Sequence, residues 1–546
     1  MRRDWCVAAV LLLIMLAVNF LPFCNAGNNG TGDLKTAVTG SQSVVVILVE
    51  FPDQIHNITT SKVRSIMSDL DRFYREESYG LTSIIATVID RWYHIPTPLS
   101  SLDIQKWKSN GDDVNKFDHE AVNAAVDVQF QNYEYVLIVA AGNVWNHAIR
   151  LSDVPNVTKL AVVNENSGVS SYAHEIGHLL PSNYQAWDNV GVPDLYSYAA
   201  AGNNKPSTGW VGSWDVMSST YNNSFGFSAW SRIALGWVTP ETVELVPGKV
   251  ETATLQPLEA NAGLRVIVVP LTANKSYVIE VRQRTGFEQG LPSEGVIVYL
   301  ADLNMKSGEG ILQVKAVSDQ NMEVVRQYAS NSLDLNNAPF KALDYLKDDA
   351  NHFYMVVVNH ASQGTFTIAI SGSKFEDSDN DGLFDVLEAT LHTNPHKPDT
   401  DNDGLTDGAE IYKHHTNPLT SDTDGDGVPD GEESLIGTNP LDPDTDHDGW
   451  TDNIDPAPTD RAMPDVAIIL LLITLMTVVI IAVAYKHRKN QTRKEKRRII
   501  QIRYCINCGI RLPFSSQFCD KCGARQDSII EYMEKQKRQN VLQKND

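Results

Sequence analysis

Residues Ser43 to Phe51, Ser-Val-Val-Val-Ile-Leu-Val-Glu-Phe, are apolar almost without a break. Successive strand positions face opposite ways, so such a run predicts a strand buried on both faces. Tyr133 to Ala141 repeats the pattern. Ser61–Arg75 and Lys116–Val128 instead return apolar residues every three or four positions, the period of an amphipathic helix. Strands alternating with helices predict an α/β domain. From Val243 to about Ser373 the apolar runs shorten to strand length, at Arg265–Leu271, Tyr277–Arg282, Gly295–Leu300 and His352–Val358. These predict a β-rich domain packed against the first.

Two further apolar runs have another meaning. Arg2 and Arg3 precede the run Val7–Val18, which leads to Cys24-Asn25-Ala26, so residues 1–26 read as a secretory signal, with an uncleaved anchor as the alternative. Val466–Tyr485 is 20 residues without a charge, and at about 1.5 Å per residue it spans a hydrocarbon core of roughly 30 Å. Eight Lys/Arg follow within Lys486–Arg498. By the positive-inside rule this basic segment, 486–500, is cytoplasmic and residues 27–464 are outside, with the membrane helix at 465–485.

Charge sharpens the division. The 546 residues carry a net −23, but residues 376–460 hold 24 Asp/Glu against Lys397 and Lys413 alone, a balance of −22. Within this segment a unit of 22 or 23 residues begins at Asp377, Asp399, Asp422 and Asp444. Carboxylates fall at loop positions 1, 3, 5, 9 and 12: Asp377, Asp379, Asp381, Asp385 and Glu388; Asp399, Asp401, Asp403, Asp407 and Glu410; Asp422, Asp424, Asp426, Asp430 and Glu433; Asp444, Asp446, Asp448, Asp452 and Asp455. Glycine at position 6 permits the sharp turn that an oxygen shell around Ca²⁺ needs. The units resemble thrombospondin type 3 repeats, and 374–462 is expected to be a calcium-stiffened stalk. An apo segment of this charge repels itself, and it makes nucleic acid an unlikely ligand of the exported part.

The chemistry lies at His174-Glu175-Ile176-Gly177-His178, in a helix-like run from Ser170 to Leu180 that stops at Pro181. Residues i and i+4 share a helix face, so the two imidazoles can bind one Zn²⁺ from the same side, and Glu175 is placed to take a proton from a water polarised by the metal. Downstream, Trp214-Asp215-Val216-Met217-Ser218 looks like the methionine turn of metzincin-like enzymes, with Met217 beneath the metal. With Glu77-Ser78-Tyr79-Gly80, Gly191-Val192-Pro193-Asp194, Ser228-Ala229-Trp230 and Leu235-Gly236-Trp237, the chain from about 43 to about 300 resembles the immune inhibitor A family of zinc metallopeptidases. The resemblance implies a zincin-like catalytic domain, read as 27–240, and an aspartate as third zinc ligand; the short-strand pattern that follows is read as a β-rich domain at 241–373. The family reads HExxHxxGxxD, whereas here Pro181 stands at the glycine position and Ser182–Asn189 reads as an insertion. The third ligand is therefore Asp194, which matches the motif, or Asp188, inside the extra loop. Tyr221, just past the turn, is a candidate oxyanion stabiliser.

Cysteine use agrees with this topology. Of six cysteines, Cys6 and Cys24 lie in the signal and the rest form Cys505-x-x-Cys508 and Cys519-x-x-Cys522. Two such pairs predict a structural zinc ribbon within 501–546, facing a cytoplasmic partner that the sequence does not identify. The whole reads as a multidomain, single-pass cell-surface zinc endopeptidase acting on extracellular proteins or peptides. The alternative is an inactive receptor or adhesin that keeps the peptidase-like fold.

Overall fold

The computed structural model describes residues 37–525 apart from 105–110, 152, 153, 155, 158, 183–190, 196–213, 219–225, 316–338, 362, 363, 462–465, 499–502, 506, 514 and 515. The signal segment and the C-terminal tail lie outside the described residues. The chain forms two units, Met1–Asn402 with Thr406–Lys413, and Asp403–Leu405 with His414–Asp546.

The first unit begins with a five-stranded sheet ordered β2-β1-β3-β5-β4, from β1 (Gly40–Glu50), β2 (Thr82–His94), β3 (Tyr135–Ala140), β4 (His147–Ile149) and β5 (Leu160–Asn164). All neighbours pair parallel except edge strand β4, antiparallel to β5. Strand β1 shows why its run is unbroken. Val44, Val46 and Leu48 enter one apolar cluster, and Val45, Ile47 and Val49 enter another on the opposite face. Helices α1 (Thr60–Glu77) and α3 (Val169–Leu179) cover the first face through Leu70, Phe73, Tyr172 and Ile176; α2 (Gly111–Ala124) covers the second through Phe117 and Ala121.

Past the short helix α4 (Ala229–Ala234) come two antiparallel-rich sheets. One is ordered β11-β10-β9-β8-β6, from β6 (Glu241–Thr242), β8 (Val266–Thr272), β9 (Lys275–Arg282), β10 (Gly295–Asp302) and β11 (Leu312–Lys315). The other is β12-β13-β14-β7, from β7 (Val250–Leu255), β12 (Tyr345–Asp348), β13 (Phe353–His360) and β14 (Phe366–Ser371). Strand alternation builds this stack too. Val266, Val268 and Val278 join the cluster under α1 and α3, while Ile267, Val269, Ile279 and Val281 face Met355, Val357, Ile368 and Ile370 of the third sheet. One face of the second sheet therefore shares its core with the α/β layers.

That shared boundary also carries charge. Arg232 and Arg282 have no exposed surface; Arg232 meets Glu77 at 2.9 Å, and Arg282 meets Glu288 at 2.5 Å and Glu280 at 3.1 Å. Arg282 Nη1 also donates to Trp214 O at 2.8 Å, tying β9 to the turn predicted to lie beneath the metal.

The repeats supply α5 (Asp385–Leu391), α6 (Asp407–Ala409) running into a π-helical turn Glu410–His414, and α7 (Asp430–Ile436). The first belongs to the first unit: Leu383 and Leu387, fully buried, pack with Val356, Val358 and Ala369 on the outer face of the third sheet. Helix α8 runs Val466–Arg498, and its first side chains, through residue 472, lie outside those described. Among the described residues no helix is long and apolar enough to cross a membrane. Beyond it β15 (Arg503–Tyr504) pairs antiparallel with β16 (Arg511–Leu512).

Replacing Arg282 by methionine strands buried carboxylates without their partner, at an expected cost of about 3–5 kcal/mol. Because the core is shared, the α/β layers and the sheets should unfold together, at lower urea, with tryptophan fluorescence and circular dichroism coincident. Two separated transitions would mean that the β-rich part folds on its own.

Candidate metal centre

Helix α3 starts at N-cap Gly168 and ends at Leu180, whose extended backbone precedes Pro181. It packs inside the unit, so His174, Glu175 and His178 are all buried. Each histidine has its Nδ1 tied to a backbone carbonyl, His174 to Val216 O at 2.8 Å and His178 to Val192 O at 2.7 Å. With a proton on each Nδ1, both Nε2 lone pairs are left for a ligand, as metal-binding histidines require. The Nε2 atoms lie 3.1 Å apart, and Asp194 Oδ1 lies 3.2 Å from His174 Nε2 and 3.4 Å from His178 Nε2. Three donors on a tetrahedron with metal–ligand distances of about 2.0–2.1 Å sit about 3.3–3.4 Å apart, so this triangle fits zinc.

Two turns hold the triangle. Gly191 N bonds His178 O and Val192 N bonds Gly177 O, bringing the returning chain against the end of α3. A Cβ at Gly191 would lie 2.1 Å from Leu180 O and 2.6 Å from Gly177 O, so only glycine allows this approach. Asp194 is fixed through its backbone by Ser307 Oγ and Gly308 N. The second turn, Trp214–Ser218, is organised by buried Asp215, which accepts from Met217 N, Ser228 N, Ser228 Oγ and Ser231 Oγ. A Cβ at Gly177 would come within 2.8 Å of Met217 Sδ, so the methionine packs directly beneath the helix at its glycine.

Electrostatics follow from burial. Burial disfavours charge on Asp194, but the two imidazoles outweigh it and hold the carboxyl well below the usual range. Burial likewise opposes charge on His178, and Asp194 outweighs it, raising His178 to about 9. Glu175 is lifted above the ordinary range by burial, against the pull of His174, His178 and His147. The sequence reading missed His147. It sits on β4 with Nε2 3.1 and 3.2 Å from the buried Asp118 carboxylate of α2 and Nδ1 on Trp145 O. Nothing in the stretch around His147 announces a partner 29 residues earlier.

The repeat loops form a second class of site. Asp377, Asp379 and Asp381 bring oxygens within 4.8 Å of one another. Both Asp379 oxygens, Glu388 Oε2, Asp424 Oδ2, Glu433 Oε2, Asp446 Oδ2 and Asp448 Oδ2 are buried with no hydrogen-bond partner among the described residues. Glu388 and Glu433 are pushed up to about 7, first by burial and then by neighbouring aspartates. Unpartnered carboxylate oxygens converging in this way fit a hard dication. Position 9 behaves differently. Asp385, Asp407, Asp430 and Asp452 each accept the N–H and hydroxyl of the position-2 residue, Ser378, Thr400, Thr423 and Thr445 respectively. They close the loops and reach a cation only through remaining lone pairs or water.

In the ribbon, Cys505 and Cys522 sulfurs lie 3.4 Å apart and those of Cys508 and Cys519 3.5 Å, a cluster able to hold zinc. The two knuckles are alike, Gly509 N bonding Cys505 O and Gly523 N bonding Cys519 O. Asp188 and Tyr221 lie outside the described residues.

Residues 377–398, 399–421 and 422–443 match the bacterial TSP3 repeat family. Three crystal structures are similar at 12 % identity: wild-type OgpA from Akkermansia muciniphila in P 21 21 21 (TM-score 0.21, 54 % of this chain and 95 % of that one), the same protein in P 41 21 2 (0.20, 53 % and 95 %), and catalytically inactive OgpA with an O-glycopeptide (glycodrosocin) substrate (0.19, 53 % and 94 %). Scores of this size transfer no residue role to this chain. No curated protein matches it.

The His147–Asp118 pair has a pH signature. Burial opposes its charge, Asp118 outweighs it, and His147 rises to about 9, against about 6.5 in an unfolded chain. Its contribution, on the order of 2–3 kcal/mol, is fully present below about pH 6.5 and lost as pH rises through about 9. Thermal melts of His147→Gln should fall well below wild type at pH 6, with the gap closing by pH 9.5; a pH-independent gap would mean the pair is uncharged.

Proposed function

We propose that this chain is a membrane-anchored zinc endopeptidase that cleaves extracellular proteins or peptides. The supporting observation is the triangle of His174 Nε2, His178 Nε2 and Asp194 Oδ1, with edges of 3.1, 3.2 and 3.4 Å and both Nδ1 atoms held by carbonyls. These three residues would hold the zinc, which supplies Lewis acidity toward a water and the scissile carbonyl. Glu175, buried one residue from His174, takes the proton of the attacking water on its carboxylate and returns it to the leaving amine. Burial lifts its proton affinity, which suits a group that must both accept and donate. Val216 O and Val192 O keep the imidazoles in one tautomer throughout. Met217 props the helix without touching substrate, and Tyr221 remains the candidate oxyanion donor.

Edge strand β4 favours a polypeptide substrate. It borders the sheet that α3 packs against, and an extended peptide can add to such an edge by main-chain hydrogen bonds. In this reading the N-terminal segment directs export, Val466–Tyr485 crosses the membrane once, the repeats bind Ca²⁺ as a stalk, and the cysteine cluster is a zinc ribbon on the cytoplasmic side.

Glu175→Gln should retain zinc and stability while casein-type proteolysis falls by about 10²–10⁴-fold, because only the proton acceptor is lost. Asp194→Ala should lower the metal content after gel filtration from two zinc ions to one, that of the cysteine cluster. Undiminished activity of the first variant excludes this mechanism. A purified wild-type chain that holds only the zinc of the cysteine cluster favours the inactive receptor instead.

A further inference from the structure

The repeats differ at the positions that face their neighbours. Position 10 is glycine in the second and third repeats, Gly408 and Gly431. There the backbone stacks on the loop before: Gly408 N bonds Asp381 Oδ2 at 2.8 Å, and a Cβ would lie 2.4 Å from Asp381 O. Gly431 meets Asp403 in the same way, at 3.1 and 2.4 Å. The first repeat has no loop before it, and positions 8, 10 and 11 are Phe384, Val386 and Leu387. These residues, with Leu383, Leu391, Phe375 and Leu343, form one cluster with Val356 and Val358 of β13 and Ala369 of β14. Phe384 stands edge-on to Tyr345 of β12 at 5.6 Å.

The loop's cation ligands and this cluster meet in α5. Glu388, at position 12, follows Leu387 directly; both have no exposed surface. One Glu388 oxygen accepts from Thr393 at 3.3 Å, and the other has no partner among the described residues. The carboxylates that act on it most strongly are Asp379 and Asp381. Without a cation, the carboxylate that closes the loop is repelled by those that open it, and the repulsion acts on the helix that carries Leu387.

We propose that the first calcium loop is a latch on the peptidase unit: Ca²⁺ held by Asp377, Asp379, Asp381 and Glu388 fixes α5 against the outer face of the third sheet. Calcium then sets the stability of the sandwich on which the catalytic layers rest, and loss of calcium loosens the enzyme from its far side. The latch rests on reading the repeats as calcium loops. It assigns the first of them a task the other three do not share.

Hydrogen–deuterium exchange on the full chain in detergent micelles tests it, with calorimetric calcium titration alongside. Chelating calcium should speed exchange at Phe353–His360 and Phe366–Ser371 by about tenfold or more, as expected for an opened local unit. Asp379→Asn should do the same in saturating calcium and remove one bound ion. Asp424→Asn should also remove one ion but speed exchange only in the third repeat. If one ion is lost yet β13 and β14 stay protected, the latch is wrong and the calcium loops stand. If neither substitution changes the bound calcium, the loops are not calcium sites and the latch fails with them. Should Asp379→Asn not fold, the wild-type calcium titration of β13 and β14 exchange decides alone.

Discussion

Two arginines without exposed surface, Arg232 and Arg282, are the constraint on which the first unit depends. Each is a fixed charge taken wholly out of water, tolerable only with its carboxylates in place. Around them stand four acids, Glu77, Glu259, Glu280 and Glu288, and burial raises Glu77 and Glu259 above the ordinary carboxylate range against the pull of the arginines. Apolar residues of equal volume would make a boundary no less stable. What the charges add is a single register, since Arg282 reaches both Glu288 and the carbonyl of Trp214.

That register extends to the metal centre by a short path. Trp214 O is held from β9, Asp215 gathers four donors from the following turn and α4, and Val216 O orients His174. Ala229 N, at the start of α4, bonds Glu280 of β9 at 2.5 Å. The acceptor that sets the tautomer of a predicted zinc ligand is thus positioned by a strand more than 60 residues later in the chain. The β-rich sheets are scaffold for the site: one face of the second sheet shares the apolar cluster under α1 and α3.

How much of this was legible varied with the range of the interaction. The His174–Glu175–His178 spacing was legible because helix geometry alone brings i and i+4 together. Strand β1 was legible because both its faces are buried. Strand β2 was missed because Ile85, Thr87 and Asp90 leave it partly exposed, and β5 because five residues make too short a run. Asp194 came from motif order alone, since a turn of 15 residues between it and His178 lets no local rule fix the contact. A signal for the buried ions was present and went unread: Glu280 and Arg282 interrupt an otherwise apolar strand, and a charge there needs a partner. The pair Asp118 and His147 left no such trace. In the repeats, the contrast of Val386 with Gly408 and Gly431 stood in the sequence, but the surface that Val386 meets did not.

The second repeat has 23 residues where the first and third have 22. Its helix is also the one that widens to a π turn, at Glu410–His414. One residue inserted into a helical array normally rotates everything after it by about 100°. Widening a single turn absorbs the extra residue inside one repeat, after its last acidic position and before the next loop. The loop-to-loop contact is kept on either side of it, Gly408 on Asp381 and Gly431 on Asp403, so an odd-length unit leaves the local stacking unchanged.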